Sequence, residues 1–320
     1  MKYYAGLDLG GTFVKGGIVD EKGNILITDK IPTGKERPYG EIAADMAELV
    51  KKLAAELRLP VAELAAVGIG SPGTIDSKNG VIYYSNNIAW NNVPLCSEIE
   101  KHLGKRVYVT NDANAAALGE AWCGAGRKYD SIVFITLGTG VGGGVIIDGK
   151  LFQGYRSAGA ELGHAVIKMG GEPCTCGRRG CFEAYASATA LIRQTKAAMK
   201  KHPESKLWEL TEGDIERVEG KTAFDGFALG DPTAKRVVSR YIKYLAEGLT
   251  NICNEFRPEA IVLGGGVCGA GDVLLKPLKR KVNRLIYGGT KYAPVKIVVA
   301  SLGNDAGLVG AVKFAIDCNG

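Results

Sequence analysis

Apolar residues recur along the chain in short runs that predict buried strands, and at the spacing of three to four residues that predicts helices. Residues 3–9 predict a buried strand, and residues 13–19 and 24–31 predict its hairpin partners, with turn chemistry at Lys22-Gly23-Asn24. Further strands are predicted at 64–70, 106–111, 260–263 and 295–300, and helices at 41–58, 185–201, 233–256, near 272–286 and at 305–317. Strands that alternate with helices indicate an α/β protein.

The pattern of strand, glycine turn and strand at the start of the chain occurs a second time at residues 131–152. Aligning this segment with residues 3–20 superimposes four pairs of residues, which are Leu9 and Leu137, Gly10 and Gly138, Gly16 and Gly144, and Asp20 and Asp148. A chain of 320 residues also exceeds the usual size of one compact domain. We therefore expect two similar lobes that face each other.

Composition and charge narrow the class of protein. The chain is 46% hydrophobic and 23% charged, as in globular proteins. The net charge of +6 is spread over short clusters such as Lys279-Arg280-Lys281, which favour solvated helix faces over a nucleic-acid interface. Because neither a signal peptide nor an apolar run of membrane-spanning length is evident, we expect a cytoplasmic protein without nucleic-acid or membrane partners.

Glycine-rich turns are the first candidate binding elements. Gly138, Gly140 and Gly143 fit the pattern G-x-G-x-x-G, but the next residues, GVIIDGKL, are typical of a hairpin rather than of the helix that a dinucleotide-binding motif needs. Bare N–H groups of such turns can approach phosphate, although each turn alone is more often structural. Three such turns favour a nucleotide site at Gly10, Gly11, Thr12, Gly138, Thr139, Gly140, Gly264, Gly265 and Gly266.

Asp8 lies at the end of an apolar run, where an unpaired carboxylate is costly to bury. A cation is therefore expected beside it, and Mg²⁺ held through water and phosphate fits the chemistry of a nucleotide site. The alternative is an aspartate at a sheet edge that caps the turn at Gly10-Gly11. Lys15 either reaches a phosphate or is solvated.

Four metal ligands lie close together in the sequence: His164, Cys174, Cys176 and Cys181. Four nitrogen and sulfur ligands complete a tetrahedral shell and leave no position for water, which predicts structural zinc. The alternative is three buried thiols and a core histidine. Glu161 and Glu183 flank the cluster without being needed by the metal, which makes them candidates for binding a polyol.

Taken in order, the segments LDLGGT, NDANAAALGE, TLGTGVGGG, E-x-x-GH with CxCGxxGCxE, LGGG and NDAG resemble the ROK (repressor, open reading frame, kinase) family of sugar kinases over nearly the whole chain. The spacing most resembles the bacterial glucokinases of Gram-positive type. The resemblance implies a duplicated actin-like ATPase fold, related to ribonuclease H, with two lobes around a nucleotide and sugar cleft. The expected lobes are residues 1–115 with 304–320, and residues 116–303.

The resemblance also implies transfer of the γ-phosphate of ATP to a hexose, with Asp112 as the base at the 6-hydroxyl. It implies that the sugar is bound by Gly73, Asn87, Asn111, Asp112, Glu161, His164 and Glu183. His164 would then bind zinc with one ring nitrogen and sugar with the other. Asp112 stands where a helix N-cap belongs, ahead of ANAAALGEAW, and the helix dipole leads us to expect an ionised, weakly basic carboxylate. The alternative role for Asp112 is a cap alone.

Several functions remain open within the family that the chain resembles. N-acetylmannosamine, N-acetylglucosamine, fructose and allose kinases share these motifs, but SNNIAW at 85–90 is closer to the glucokinase pattern. A sugar-sensing repressor carries an additional helix-turn-helix domain, for which a first strand at Tyr3 leaves no room. The family further suggests a homodimer or homotetramer.

Overall fold

The structure is a computed structural model that describes residues 1–85 and 87–320, and for Thr290 the backbone alone. Its strands are β1 (Tyr3–Leu9), β2 (Phe13–Asp20), β3 (Ile25–Pro32), β4 (Leu64–Ser71), β5 (Thr74–Asp76), β6 (Val81–Ser85), β7 (Trp90–Val93), β8 (Val107–Asn111), β9 (Ile132–Leu137), β10 (Val141–Ile147), β11 (Lys150–Phe152), β12 (Ala260–Gly264) and β13 (Lys296–Val299). Its α-helices are α1 (Tyr39–Glu56), α2 (Leu95–Leu103), α3 (Asp112–Trp122), α4 (Glu183–Ala186), α5 (Ala188–Lys201), α6 (Leu207–Leu210), α7 (Thr222–Ala228), α8 (Pro232–Phe256), α9 (Asp272–Leu285) and α10 (Ala306–Asn319).

Two five-stranded sheets repeat one topology. The first has the strand order β3-β2-β1-β4-β8 and the second has the order β11-β10-β9-β12-β13. Each places three consecutive strands side by side and adds two later strands. In the first sheet β1, β2 and β3 are antiparallel neighbours and β4 and β8 run parallel to β1, while in the second β10 and β11 are antiparallel and β12 and β13 are parallel. The duplicated architecture expected from the glycine alignment is therefore confirmed.

The hairpin between β10 and β11 turns at Asp148-Gly149, as predicted. Both residues have positive φ, 49° and 73°, which is the backbone conformation of a type I′ turn. This turn matches the right-handed twist of the two strands that it joins, and no helix follows the glycines. A Rossmann interpretation of the segment is therefore excluded by the structure as well.

The chain divides into two compact units, the first comprising Met1–Phe134, Gly144–Ala160 and Ala300–Gly320, and the second comprising Ile135–Gly143 and Glu161–Val299. In the first unit, α1 buries Met46 and Leu53 in one core cluster with the β-strand residue Leu7. A separate cluster joins Tyr4 to Leu308 of α10. The amphipathic helices thus cover apolar strand residues, as the periodicity predicts.

Helices α3 and α10 of the first unit pack backbone against backbone. A Cβ atom added to Gly119 would lie 3.1 Å from the nitrogen of Gly310, and one added to Gly310 would lie 2.7 Å from the nitrogen of Gly119. Only glycine leaves enough space at such a crossing. The two helices are consequently held in close register.

Most predicted elements are present, and the differences have local causes. The helix predicted over 185–201 begins as α4 and restarts as α5 at Ser187, whose hydroxyl accepts a hydrogen bond from the N–H of Ala190 at 3.0 Å. The small antiparallel sheet β5-β6-β7 and helix α2 were not predicted. β6 (VIYYS) does not alternate apolar and polar residues, and β7 (WNNV) has two asparagines at its centre, so the period-two pattern is weak there.

Helices long and apolar enough to span a bilayer do not occur in the described ranges, 1–85 and 87–320. This agrees with the sequence, in which no apolar run approaches the required length.

Candidate active site and metal centre

The ends of three strands bring two carboxylates of the first unit together. Asp8 lies near the end of β1, and Asp112 directly follows β8; both strands are parallel neighbours of β4. Between them, a Cβ atom added to Gly70 of β4 would lie 3.8 Å from the Cα of Asp112. Loops at the carboxyl ends of parallel strands are the usual position of functional groups in open α/β sheets.

The electrostatics of these two carboxylates are coupled. Burial, with a smaller contribution from the charge of Asp112, raises the pKa of Asp8 to about 6 despite the opposing effect of Lys15. Desolvation by the surrounding protein atoms also raises the pKa of Asp112, although this residue remains accessible to solvent. The hydrogen bonds from the N–H groups of Ala113 and of Asp112 itself lower the pKa, but by less than desolvation raises it. The expectation of a weakly basic Asp112 is therefore wrong in direction.

Asn111, rather than Asp112, is the N-cap of α3. The Asn111 side-chain oxygen accepts hydrogen bonds from the N–H groups of Ala113 at 2.9 Å and Asn114 at 3.3 Å. Its amide nitrogen donates to the carbonyl of Gly73 at 3.2 Å, so two predicted sugar-binding residues are adjacent. Asp112 is the first residue of the helix, and its Oδ1 accepts from Ala113 at 2.8 Å. The cap is thus formed by the neighbour, which argues against a purely capping role for Asp112.

Lys15 is paired rather than solvated. It lies opposite Asp8 in the β1–β2 register and forms an ion pair with Asp305. The first turn of α10 also approaches Asp8: a Cβ atom added to Gly307 would lie 2.9 Å from the Asp8 carboxylate. Asp8, Lys15 and the start of α10 therefore form one polar cluster.

The first glycine turn joins β1 to β2. The N–H of Gly10 donates to the carbonyl of Phe13 at 2.9 Å, and the hydroxyl of Thr33 donates to the carbonyl of Gly10 at 2.6 Å. Asn87 lies beside this turn, with its carbonyl 3.2 Å from the position that a Cβ of Gly11 would occupy. Thr12 is exposed at the tip of the turn. The turn at Gly10–Thr12 therefore packs closely against Asn87 and carries no basic side chain of its own.

Two further glycine turns meet in the second unit. Gly138 and Gly140 close the turn after β9 with a 3.1 Å backbone hydrogen bond, and Thr189 donates to the carbonyl of Thr139 at 2.8 Å. Gly265 has φ of 89°, and a Cβ there would lie 2.7 Å from the nitrogen of Leu137, so the turn at Gly264–Gly266 packs directly on the end of β9. The structure thus brings both predicted glycine turns of this unit together.

The four predicted metal ligands form a cluster in the second unit. Candidate ligand atoms of His164, Cys174, Cys176 and Cys181 all lie within 4.8 Å of one another. The Sγ atoms of Cys176 and Cys181 are 3.7 Å apart, and Cys174 Sγ is 3.6 Å from His164 Nδ1. Sulfur ligands about 2.3 Å from a tetrahedral zinc ion lie about 3.8 Å apart. The arrangement therefore fits zinc, and it leaves His164 Nε2 free for a second partner.

Glu183 connects the metal-ligand loop with the glycine turn after β9. One carboxylate oxygen accepts from the N–H of Val141 at 3.0 Å, and the other accepts from the hydroxyl of Thr175 at 3.2 Å. A carboxylate has about four acceptor positions, so it can still bind a sugar hydroxyl. Glu161 precedes the short turn Leu162–His164 and accepts from the N–H of His164 at 3.0 Å through its carbonyl.

The sequence alone does not assign roles to four polar residues that the structure places at these clusters, namely Thr33, Glu120, Thr175 and Asp305. Asp305 belongs to the NDAG segment, which is one of the motifs, and Thr175 lies between two predicted zinc ligands. Glu120 is the last residue of the NDANAAALGE segment, but neither its position nor that of Thr33 indicates its partners, which are backbone groups distant in sequence.

Comparison with known proteins places these features in a family. The ROK family model matches residues 4–318. A glucokinase of Thermotoga maritima is 41% identical over 313 residues, which cover 97% of this chain and 96% of that protein.

The crystal structure of a ROK family glucokinase from Streptomyces griseus in complex with glucose and AMPPNP has a TM-score of 0.81 and 36% identity, covering 98% of this chain and 99% of that chain. The xylose repressor of Bacillus subtilis is 29% identical over 325 residues, covering 98% of this chain but 77% of that protein. The match of the family model across almost all residues, together with the duplicated fold, shows that this chain belongs to the ROK family.

Proposed function

We propose that this chain is an ATP-dependent glucokinase, which transfers the γ-phosphate of ATP to the 6-hydroxyl of glucose. The observation that carries the proposal is the 41% identity to the Thermotoga maritima glucokinase along nearly the full length of both chains. The cluster of Asp8, Asp112 and Lys15 supports it, because phosphoryl transfer needs a positioned base and a site for the charged donor.

Asp112 is the proposed general base. Its raised pKa makes it a stronger base than an ordinary aspartate, and its solvent-accessible side chain is open to a substrate. The 6-oxygen of glucose attacks the γ-phosphorus, the bond from that phosphorus to the β–γ bridging oxygen breaks, and ADP leaves. The proton of the 6-hydroxyl passes to the Asp112 carboxylate. Since the transition state is loose, orientation of the hydroxyl matters more than strong basicity.

The donor site is proposed on the glycine turns and the Asp8 cluster. Asp8 fits a magnesium site, because its raised pKa reflects a charge that the protein alone does not compensate. Bound Mg²⁺ would neutralise phosphate charge. Lys15 and Thr12 lie in the same hairpin as Asp8, and glycine N–H groups can contact phosphate oxygens. The residues proposed to contact the nucleotide are Asp8, Gly10, Gly11, Thr12, Lys15, Gly138, Thr139, Gly140, Gly264, Gly265 and Gly266.

The proposed ligands of the other sugar hydroxyls are Gly73, Asn87, Asn111, Glu161, His164 and Glu183. Three of these assignments have structural support: Asn111 contacts Gly73, and His164 Nδ1 lies beside Cys174 Sγ, which leaves Nε2 for the sugar. Zinc would be held by His164, Cys174, Cys176 and Cys181 and would order the loop that carries Thr175. This residue in turn holds Glu183, so the metal would act on sugar binding rather than on phosphate.

Two alternatives to a glucokinase are a kinase for another sugar and a sugar-sensing repressor. Another hexose or an N-acetylhexosamine requires the same kinase motifs, so an assay must decide the sugar. A sugar-sensing repressor is less well supported, because the xylose repressor of Bacillus subtilis is 29% identical and the glucokinase of Thermotoga maritima 41%. Specific operator binding that is released by sugar would favour the repressor. The cytoplasmic location and the homo-oligomeric state stay predictions.

The proposal is tested by incubating the purified protein with ATP, Mg²⁺ and glucose and identifying the products by NMR. Phosphate attached to the 6-oxygen of glucose, with one ADP formed per sugar, is the expected result. ADP without phosphorylated sugar, or phosphate on another hydroxyl, would contradict it.

A further inference from the structure

Glu120 is a charged residue within the protein interior that the proposed reaction does not use. Its side chain has 0% relative exposure, and it lies near the end of α3, the helix that begins with Asp112. A buried carboxylate is costly unless its lone pairs are satisfied. Its hydrogen-bond partners therefore indicate what it holds in place.

Backbone N–H groups supply these partners. Glu120 Oε2 accepts from the N–H of Ala125 at 2.7 Å, and Oε1 accepts from the N–H groups of Ser301 at 2.9 Å and Leu302 at 2.8 Å. Ala125 is local, but Ser301 and Leu302 are more than 180 positions away in the sequence. The carboxylate thus ties the end of α3 to the segment that leads into α10.

That segment carries two residues that contact the proposed donor site. Asp305, which pairs with Lys15, is the third residue after Leu302, and Gly307 lies against the Asp8 carboxylate. Beyond it, α10 packs on α3 through Gly119 and Gly310, whose backbones leave no room for a side chain. The entry to α10 is therefore fixed to α3 at two places, the glycine crossing and the Glu120 carboxylate.

We propose that Glu120 is a positioning residue for the proposed nucleotide site, which holds the entry of α10 so that Asp305 and Gly307 stay against Lys15 and Asp8. The inference rests on the proposed function, since it assigns Glu120 to the binding of the magnesium–nucleotide donor. It predicts that loss of the carboxylate weakens donor binding and leaves glucose binding nearly unchanged.

Glu120→Gln is the direct test. Glutamine offers one acceptor oxygen in place of two and turns an N–H donor toward the N–H groups, so the bonds to Ser301 and Leu302 cannot all form. The dissociation constant for magnesium–AMPPNP, measured by calorimetry, and the KM for magnesium–ATP are expected to rise about tenfold, with the KM for glucose changed less than about twofold. Glu120→Asp, which keeps the charge, is expected to restore part of the affinity.

Asp231→Asn is the matched control. Asp231 is a second buried carboxylate, 2% exposed, that accepts hydrogen bonds from the backbone N–H groups of Ala234 and Lys206, but it caps α8 in the second unit. Its replacement is expected to lower the melting temperature without raising the KM for magnesium–ATP. An equal rise in this KM for both variants would show a general effect of destabilisation and would overturn the positioning role.

A double variant separates positioning from mere stability. If Glu120 acts through Asp305, the effect of Glu120→Gln on nucleotide affinity is expected to be largely absent in an Asp305→Asn background. Additive effects would contradict the proposal, as would unchanged nucleotide affinity in Glu120→Gln. Should Glu120→Gln fail to fold, Glu120→Asp takes its place, because its side chain is one methylene shorter: a lowered melting temperature with unchanged nucleotide affinity would then overturn the proposal. A native chain that does not phosphorylate glucose would instead refute the proposed function, while the calorimetric comparison still tests Glu120.

Discussion

At the scale of single residues, Asp8 and Asp112 lie at the same ends of β1 and β8, which both run parallel to β4, and burial raises the pKa of each. Carboxylates with raised pKa values do little for stability but suit a reaction, because Asp8 can bind a cation and Asp112 can accept a proton. The sequence indicated both residues. It could not indicate the direction of the Asp112 pKa shift, which depends on the protein atoms around the side chain.

Asp112→Asn is expected to lower kcat by a factor of about 10²–10⁴, because it removes the base while keeping the size of the side chain. Glucose binding, measured by calorimetry, is expected to change little. Asp317→Asn removes a surface carboxylate paired with Lys313 and serves as the control. Native turnover in Asp112→Asn would remove this residue from its proposed role.

Asp8 gives a prediction for pH and stability. Its pKa is about 6 in the folded chain against 3.8 for an ordinary aspartate, so the folded state binds more protons and stability falls as pH rises through this interval. Asparagine carries no charge at any pH. Without Mg²⁺ and nucleotide, Asp8→Asn is therefore expected to gain stability over the native chain as pH rises from 4 to 8, by at most about 3 kcal/mol and less where solvent screens the charge. Urea unfolding at several pH values measures this, and a gain that shrinks with rising pH would refute it.

At the scale of elements, the sequence predicts features that depend on neighbouring residues better than features that depend on contacts between distant residues. The zinc ligands are visible because three cysteines and a histidine fall within one short loop. The hairpin at Asp148-Gly149 is visible from its turn residues. The N-cap of α3 was placed one residue too late, because Asn111 and Asp112 are both good capping residues. The role of Glu120 was not visible, since its distant partners, Ser301 and Leu302, are backbone groups more than 180 positions away in the sequence.

The metal-ligand loop gives a prediction about an element. The purified protein is expected to contain about one zinc ion per chain, and Cys176→Ser is expected to lose the metal because a tetrahedral structural site needs all four ligands. Its KM for glucose is expected to rise, since the loop then no longer holds Thr175 against Glu183. Cys318→Ser, which replaces another exposed free cysteine, is the control. Full activity in a metal-free preparation would contradict the role assigned to the loop.

At the scale of the whole molecule, one strand order occurs in both five-stranded sheets. The sequence predicted this duplication from a few aligned glycines and apolar runs, because each repeat needs the same turn after its first strand. It did not predict the small sheet β5-β6-β7, whose strands are short and do not alternate apolar and polar residues. The boundaries of the lobes, residues 1–115 with 304–320 and residues 116–303, stay a prediction.

The identity of the sugar also belongs to this scale, since it depends on the combined contacts of many residues rather than on one motif. The 41% identity to a glucokinase and the shared motifs favour a sugar kinase. Discrimination among hexoses depends on differences in the free energy of transition-state binding, which a few contacts can produce.

The proposed function is tested most sharply by a panel of hexoses assayed with ATP and Mg²⁺, comparing kcat/KM for glucose, fructose, allose, N-acetylmannosamine and N-acetylglucosamine. We predict the highest kcat/KM for glucose, with phosphate on the 6-oxygen. A kcat/KM for an N-acetylhexosamine or for fructose well above that for glucose would contradict the assignment while leaving the kinase chemistry intact, and absence of turnover with every sugar would contradict both.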